Sequence, residues 1–376
     1  MTSPYHSLFE FHKPFAPPVS LFFYPFTPRV KEFYTPVMEI IKSFSFGGFP
    51  SKAVLCNKQE LLPSDTALFV ADHHTRELIS LPEGLAEVTL IPGEEGKQWD
   101  AVDKILKTAM EEGLARDSLI CGAGGGVVTD MTAFAGSLYM RGCRVILIPT
   151  SLLAMVDAAL GGKTGIDAGV YKNMIGTFYP AEEVRICPEL LRDLPLKEYM
   201  NGLGEVLKTA IIGDADLLQL LVEKREAVLA RDTEILSEII RRCILVKGAL
   251  VEEDLREKGR RAFLNLGHTF GHALEAVSEF RWSHGAAVIW GTVKALEASV
   301  RLGLASPDWA EEMKSLFLGY GYELEALEDP QAILEAMKMD KKKQKGKLRY
   351  ILPAGPQDIR IEFLDPDFVL EVLKVK

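Results

Sequence analysis

SLICGAGGG (118–126) passes from a short apolar run into four glycines within five positions, and the residues after it read as a helix as far as Tyr139. A strand that ends in glycines and opens a helix suits an anion. Glycines permit close backbone approach, and a helix N-terminus presents free N–H groups. The spacing is not G-x-G-x-x-G, because position 127 is Val, and a tight strand-to-helix turn would use the same glycines. Asp130 falls in the first turn of the following helix. Outward from this point the pattern alternates. TALFVAD (66–72), AEVTLIP (86–92) and CRVILIPT (143–150) are further apolar runs. Val102, Ile105, Leu106 and Ala109 recur at helical spacing between Gly96 and Gly113. Strand and helix in alternation predict a parallel sheet flanked by helices. After about Pro180 the rhythm changes. Segments 197–213, 214–230, 233–253, 268–280, 285–303, 307–320 and 330–339 read as helices, and LRYILPAG (348–355) as a late strand. The chain therefore reads as an α/β half followed by an α-helical half.

Composition narrows the function classes. The 376 residues carry a net charge of −10, which argues against non-specific nucleic-acid binding. No apolar run approaches the ~20 residues of a membrane span. Cys56, Cys121, Cys143, Cys187 and Cys243 are scattered and odd in number, so they read as buried hydrophobes in a reducing compartment. The first residues lack a basic n-region, so no signal peptide is expected and the cytoplasm is the expected location. Residues 1–35, rich in proline and aromatics, read as an arm packed on the body or on a partner subunit.

Chemistry-bearing residues concentrate later. His268, His272 and His284 fall within seventeen residues, the first two at i and i+4 on one helix face. Imidazole is the commonest metal ligand, and this density points to a metal site, although spacing leaves open which two or three ligate. Position 269 is Thr rather than Glu, so the metalloprotease motif is absent. Arg261 and Asn265 lie near the same face and could grip an anion. Glu205 and Lys208, three apart on a helix, are either a surface ion pair or a metal-binding carboxylate beside a lysine. Lys163 and Lys172 sit in GGKTGID (161–167) and YKN (171–173), read as a glycine-rich anion loop; it is not a P-loop, since position 157 is Asp. The run DKKKQK (340–345) would ordinarily be a solvated face.

In this order the blocks resemble the 3-dehydroquinate synthase family of sugar phosphate cyclases, from about Asp72 to Pro353. The pieces that carry the likeness are Gly124–Asp130, Tyr139–Gly142, Ile148–Asp167, Lys172-Asn173, Glu205–Lys208, Arg261–Glu275, His284-Gly285 and Asp340–Lys342. The resemblance implies a Rossmann-like NAD-binding α/β domain over 36–180 and an all-α metal- and substrate-binding domain over 181–376. It implies that Glu205, His268 and His284 bind a divalent metal, zinc or cobalt, and that His272 belongs instead to the phosphate and proton-transfer side. Asp72, Glu94, Lys97, Gly125, Gly126, Val127, Asp130, Thr150, Ser151, Leu153 and Asp157 would hold NAD, with Lys163 and Lys172 at its edge. Asp157, Lys163, Lys172, Asn173, Lys208, Lys247, Arg261, Asn265, His272, Lys341 and Lys342 would hold substrate, with Lys163, Lys208, Arg261, Asn265 and His272 closest to the chemistry. Arg141 would reach across a homodimer interface to the neighbour's substrate.

The implied reaction cyclises 3-deoxy-arabino-heptulosonate 7-phosphate to 3-dehydroquinate, a step of the shikimate pathway. A hydroxyl is oxidised by NAD, phosphate is eliminated, hydride returns, and ring opening with an intramolecular aldol step closes the carbocycle. The chain departs from the family pattern at His74, Thr129 and Ser151, and at Ala286, where a glutamate usually follows His-Gly. Three other readings share these residues: a cyclase acting on sedoheptulose 7-phosphate or glucose 6-phosphate, a metal-dependent polyol dehydrogenase, and a non-catalytic NAD-binding relative. The first tends to change the positions matching Asn265 or His272, and both are retained here.

Overall fold

The computed structural model describes residues 38–169, 171–279, 281–341 and 349–375. The arm expected at 1–35 and most of the 340–345 charge run lie outside them. The chain enters through a hairpin of β1 (Glu39–Phe46) and β2 (Phe49–Leu55), then β3 (Thr66–Asp72), β4 (Ala86–Leu90), α1 (Trp99–Glu111), β5 (Leu119–Gly124), α2 (Gly126–Leu138) and β6 (Arg144–Pro149). A second hairpin, β7 (Lys163–Ala168) and β8 (Tyr171–Phe178), precedes β9 (Glu183–Ile186). The helices α3 (Leu196–Gly213), α4 (Ala215–Glu223), α5 (Arg225–Leu229), α6 (Thr233–Glu253), α7 (His268–Val277), α8 (His284–Arg301), α9 (Pro307–Gly319) and α10 (Pro330–Lys341) follow. A hairpin of β10 (Arg349–Gly355) and β11 (Asp358–Phe363) and helix α11 (Pro366–Leu373) end the described chain.

Seven strands form one sheet in the order β1-β2-β9-β6-β5-β3-β4, parallel throughout except for the β1–β2 pair. β5 is buried along its whole length, which is why it reads as a continuous apolar run rather than an alternating one. It delivers the glycine turn directly to the start of α2. The expected loop over 161–173 is instead the start of the β7–β8 hairpin, paired from Lys163↔Phe178 to Ala168↔Tyr171. β8 is exposed from Lys172 to Gly176 and β7 buries three consecutive residues, so neither shows an alternating apolar period.

In the helical part, α3 and α8 are buried nearly all round. Such helices occupy the middle of a core rather than its surface. Their first and middle turns therefore offer polar side chains an enclosed, low-dielectric setting. No helix among the described residues is long and apolar enough to cross a membrane.

Candidate active site

Glu205 lies mid-way along α3, while His268 and His284 are the first residues of α7 and α8. Three helices thus bring one ligand atom each within 4.8 Å of one another. Glu205 Oε1 is 3.5 Å from His268 Nε2 and 3.2 Å from His284 Nε2. This proximity depends on two glycines. A Cβ on Gly285 would fall 2.3 Å from Asn201 O, and one on Gly204 would fall 2.6 Å from Gly285 O. Gly285 N also donates to Asn201 Oδ1 at 3.1 Å, tying α8 to α3 beside both ligands. Gly285→Ala is therefore expected to force α3 and α8 apart. It should cost about 1–3 kcal/mol by overpacking and weaken Zn²⁺ binding, as urea unfolding and chelator competition would read. Unaltered zinc affinity would show that the helix approach does not set the site.

One oxygen and two nitrogens suit Zn²⁺ or Co²⁺, and three protein ligands are the number of a catalytic rather than a structural site. The local chemistry fits such an ion. Lys208 Nζ lies against Glu205 Oε2, yet among the described residues that oxygen has no partner in hydrogen-bonding geometry. Burial alone would push the Glu205 carboxyl up, but Lys208, then His268 and His284, hold it well below the usual carboxylate range. Burial, then Lys208, keeps His268 well below its ordinary value, hence neutral and able to ligate. Burial opposes charge on His284, yet the Glu205 and Glu275 carboxylates push it up to about 10 when no ion is present. His272, the other i,i+4 residue, stacks edge-on to His268 with ring centroids 5.1 Å apart. It also shares with Glu275 and His284 a second set of ligand atoms within 4.8 Å.

A chain of charge leads away from Glu205. Lys208 acts on Asp157, which pairs with Lys247 through both its carboxylate and its carbonyl, the latter at 2.5 Å. Asp157 also attracts Arg261, whose guanidinium donates to Leu255 O and, at 3.2 Å, to Gly161 O. Arg261 acts on Glu257, and Glu257 binds both Lys163 Nζ and Asn265 Nδ2. Lys163, Arg261 and Asn265, far apart in sequence, thus share one carboxylate. Glu257 carries no sequence signal that would single it out. Glu275 does: it lies seven residues past His268 and three past His272, on the same helix face. The Lys341 side chain and all of Lys342 lie outside the description.

The residues expected at a nucleotide gather at the C-terminal ends of β3, β5 and β6. Asp72 Oδ1 accepts from the backbone N–H groups of His74 and Thr75 and closes the turn after β3. Lys97 Nζ joins Asp130 Oδ2 at 2.7 Å to Asn173 Oδ1 at 2.6 Å, so it bridges α2 and the start of β8. Glu94 accepts from Lys97 N at 2.9 Å. Thr150 N donates to Gly124 O at 2.9 Å, and Ser151 Oγ accepts from Ala154 N at 3.3 Å. Leu153 then leads into a π-helical turn, Ala154–Ala158, that carries Asp157. The glycines differ in purpose. A Cβ on Gly122 would strike Thr132 and one on Gly124 would strike Val128, so packing requires those two. A Cβ on Gly125 would meet nothing closer among the described residues than Ser151 Oγ at 3.7 Å, and its φ of −70° suits any residue. Glycine there leaves space at the N-terminus of α2, with Gly126 and Val127 in its first turn, a setting that suits an anion. Met140 and Arg141, just past α2, both adopt the left-handed conformation (φ 46° and 65°), which side chains disfavour. Arg141 and Lys172 are exposed.

Comparison with known proteins agrees with this layout. The family model described as 3-dehydroquinate synthase N-terminal matches residues 87–201, and that described as 3-dehydroquinate synthase C-terminal matches 202–343. The chain is 35% identical over 316 residues to a 3-dehydroquinate synthase of Alkaliphilus metalliredigens, covering 81% of this chain and 88% of that one. It is 43% identical over 288 residues to one of Thermococcus kodakarensis, covering 75% and 80%. Among solved structures, 2-deoxy-scyllo-inosose synthase complexed with carbaglucose-6-phosphate, NAD+ and Co2+ shares the fold at TM-score 0.78 and 22% identity, over 89% of this chain and 99% of that one. The 2-epi-5-epi-valiolone synthase of Streptomyces hygroscopicus, with NAD+ and Zn2+ bound, does so at TM-score 0.77 and 24% identity, over 85% and 95%. With matches of this extent in both halves, the chain belongs to the 3-dehydroquinate synthase family.

Proposed function

We propose that the chain catalyses the 3-dehydroquinate synthase reaction, cyclising 3-deoxy-arabino-heptulosonate 7-phosphate to 3-dehydroquinate with release of phosphate. The observation that supports this reading is that the Glu205/His268/His284 set is accompanied by Arg261, Lys163 and Asn265, the last two bound to one carboxylate, Glu257. A simple polyol dehydrogenase needs the metal set and the nucleotide turn but has no use for a cluster of anion-binding cations.

Bound zinc or cobalt would polarise a substrate hydroxyl, and NAD would accept and return a hydride. Glu205, His268 and His284 would hold the metal. The nucleotide turn from Gly125 to Asp130, with Asp72, Glu94, Lys97, Thr150, Ser151, Leu153 and Asp157, would hold NAD. Lys163, Lys172, Asn173, Arg261, Asn265 and His272 bind the substrate's anionic groups, joined by Lys341 and Lys342. Their positive field favours the departure of phosphate. Lys208 and Lys247, both buried, orient the hydroxyl side and exclude water from it. In this reading residues 36–180 carry the cofactor, and residues 181–376 carry the metal and much of the substrate site.

A homodimer belongs to the same reading. Leu138 and Met140 at the end of α2, with Met174, Ile175 and Phe178 on β8, expose apolar surface. Thr177 Oγ1 donates to Ser137 Oγ at 2.9 Å and so brings β8 against the end of α2. A second copy covering this face would receive Arg141 from its neighbour. The cytoplasm is the location that suits such a biosynthetic reaction and five unpaired cysteines.

Two experiments test the assignment. Incubated with NAD and Zn²⁺ or Co²⁺, the protein is expected to convert 3-deoxy-arabino-heptulosonate 7-phosphate to a product with the mass of 3-dehydroquinate, and to leave sedoheptulose 7-phosphate intact. Preferential turnover of the latter would move the chain to a different cyclase reaction. Gly125→Leu should fill the space before α2 while leaving the fold intact. NAD binding should weaken about tenfold or more, roughly 1.4 kcal/mol, as calorimetry would read. Unaltered NAD affinity would remove the nucleotide from this turn.

A further inference from the structure

His284 stands between two carboxylates from two different helices. Its Nε2 is 3.2 Å from Glu205 Oε1 on α3, and its Nδ1 is 3.5 Å from Glu275 Oε1 on α7. Glu275 is only 8% exposed, and it lies outside both the metal set and the charge network that leads to Lys163. His268 follows the same plan with a backbone acceptor. Its Nδ1 is 3.2 Å from Leu266 O while its Nε2 faces Glu205. An imidazole that donates Nδ1–H outward keeps the Nε2 lone pair for an ion, and an anionic acceptor makes that nitrogen a stronger donor to the metal. Ala286, two residues along α8, has no side-chain acceptor to offer, so the orientation of His284 depends on α7.

We propose that Glu275 is a positioning residue of the metal site: it accepts the Nδ1 hydrogen of His284 and fixes the ring's tautomer and plane, so that Nε2 points at the ion shared with Glu205 and His268. The inference rests on the metal reading given above. The set His272, Glu275 and His284 also brings three ligand atoms within 4.8 Å. Both sets need His284, and one neutral ring can serve two ions only by losing its remaining N–H proton. The second set therefore supports the first rather than holding an ion of its own.

The test is Zn²⁺ affinity of the full chain, by competition with a chromophoric chelator, together with zinc content at saturation and NAD affinity. Glu275→Leu removes the acceptor and is expected to weaken zinc about 10–100-fold. Glu275→Gln keeps an oxygen that accepts from Nδ1 and should weaken it less, by a factor of roughly 2–10. All three proteins should hold one zinc per chain and bind NAD alike. A merely structural role would move NAD affinity along with zinc affinity, and that result would overturn the proposal. Wild-type zinc affinity in either folded variant would overturn it too. Two ions in the wild type and one in the variants would make Glu275 a ligand instead. A wild-type chain that binds no zinc would sink the metal reading and this inference with it. Should the leucine variant fail to fold, the near-isosteric glutamine variant decides.

Discussion

Glu205→Ala is expected to lose the metal and to lower stability by about 3–5 kcal/mol. Both effects have one cause. Glu205 and Lys208 are 1% exposed, and they are the nearest opposite charges to one another. Removing the carboxylate takes the one anionic member from the proposed metal set and leaves an ammonium buried in the middle of α3. Asp157 also acts on Lys208 and offsets part of the cost, so the lower end of the range is favoured. Urea unfolding of the metal-free protein and zinc content together read the two effects. The double variant Glu205→Leu with Lys208→Met separates them: stability should return toward wild type while zinc stays lost. A single variant that keeps its zinc would remove Glu205 from the site.

His284→Ala and His272→Ala should part company. The first removes a proposed ligand whose Nε2 faces Glu205, so zinc content should fall to background. The second removes a ring that touches the site from the exposed side of α7. It should leave zinc in place and lower turnover by about 10²–10⁴, the usual weight of a proton-transferring side chain. Equal zinc loss in both variants would bring His272, at i+4 from His268, into the chelate. Zinc content and phosphate release, measured on the same preparations, decide between them.

The parts of this molecule that announce themselves in sequence are those whose pattern is local. The predicted helix over 233–253 coincides with α6 because Leu236, Ile239, Ile240, Cys243 and Ile244 form one stripe. The turn after β5 is marked by glycines that packing and space both require. β1 and β8 escaped although each has eight residues, because most of those residues are exposed and show no apolar period, and β9 has only four residues. The metal set is half local. His268, His272 and His284 advertise a cluster, but Glu205 lies 63 positions before His268, and only the family resemblance connects them. The crossing of α3 and α8 at Gly204 and Gly285 is what makes that distance disappear. Glu257 and Glu275 were missed for different reasons. Glu257 has no spacing that singles it out, whereas Glu275 shares a helix face with both His268 and His272 but is masked by the more conspicuous histidines.

The central claim is that NAD and a metal serve a phosphate-eliminating cyclisation rather than a net oxidation. Phosphate release and NADH absorbance, followed in the same sample with catalytic NAD, Zn²⁺ and 3-deoxy-arabino-heptulosonate 7-phosphate, test it directly. One phosphate should appear per substrate consumed, over many turnovers per NAD, with no accumulation of NADH. Accumulating NADH without phosphate, or no phosphate from a folded and metal-replete preparation, would contradict the account.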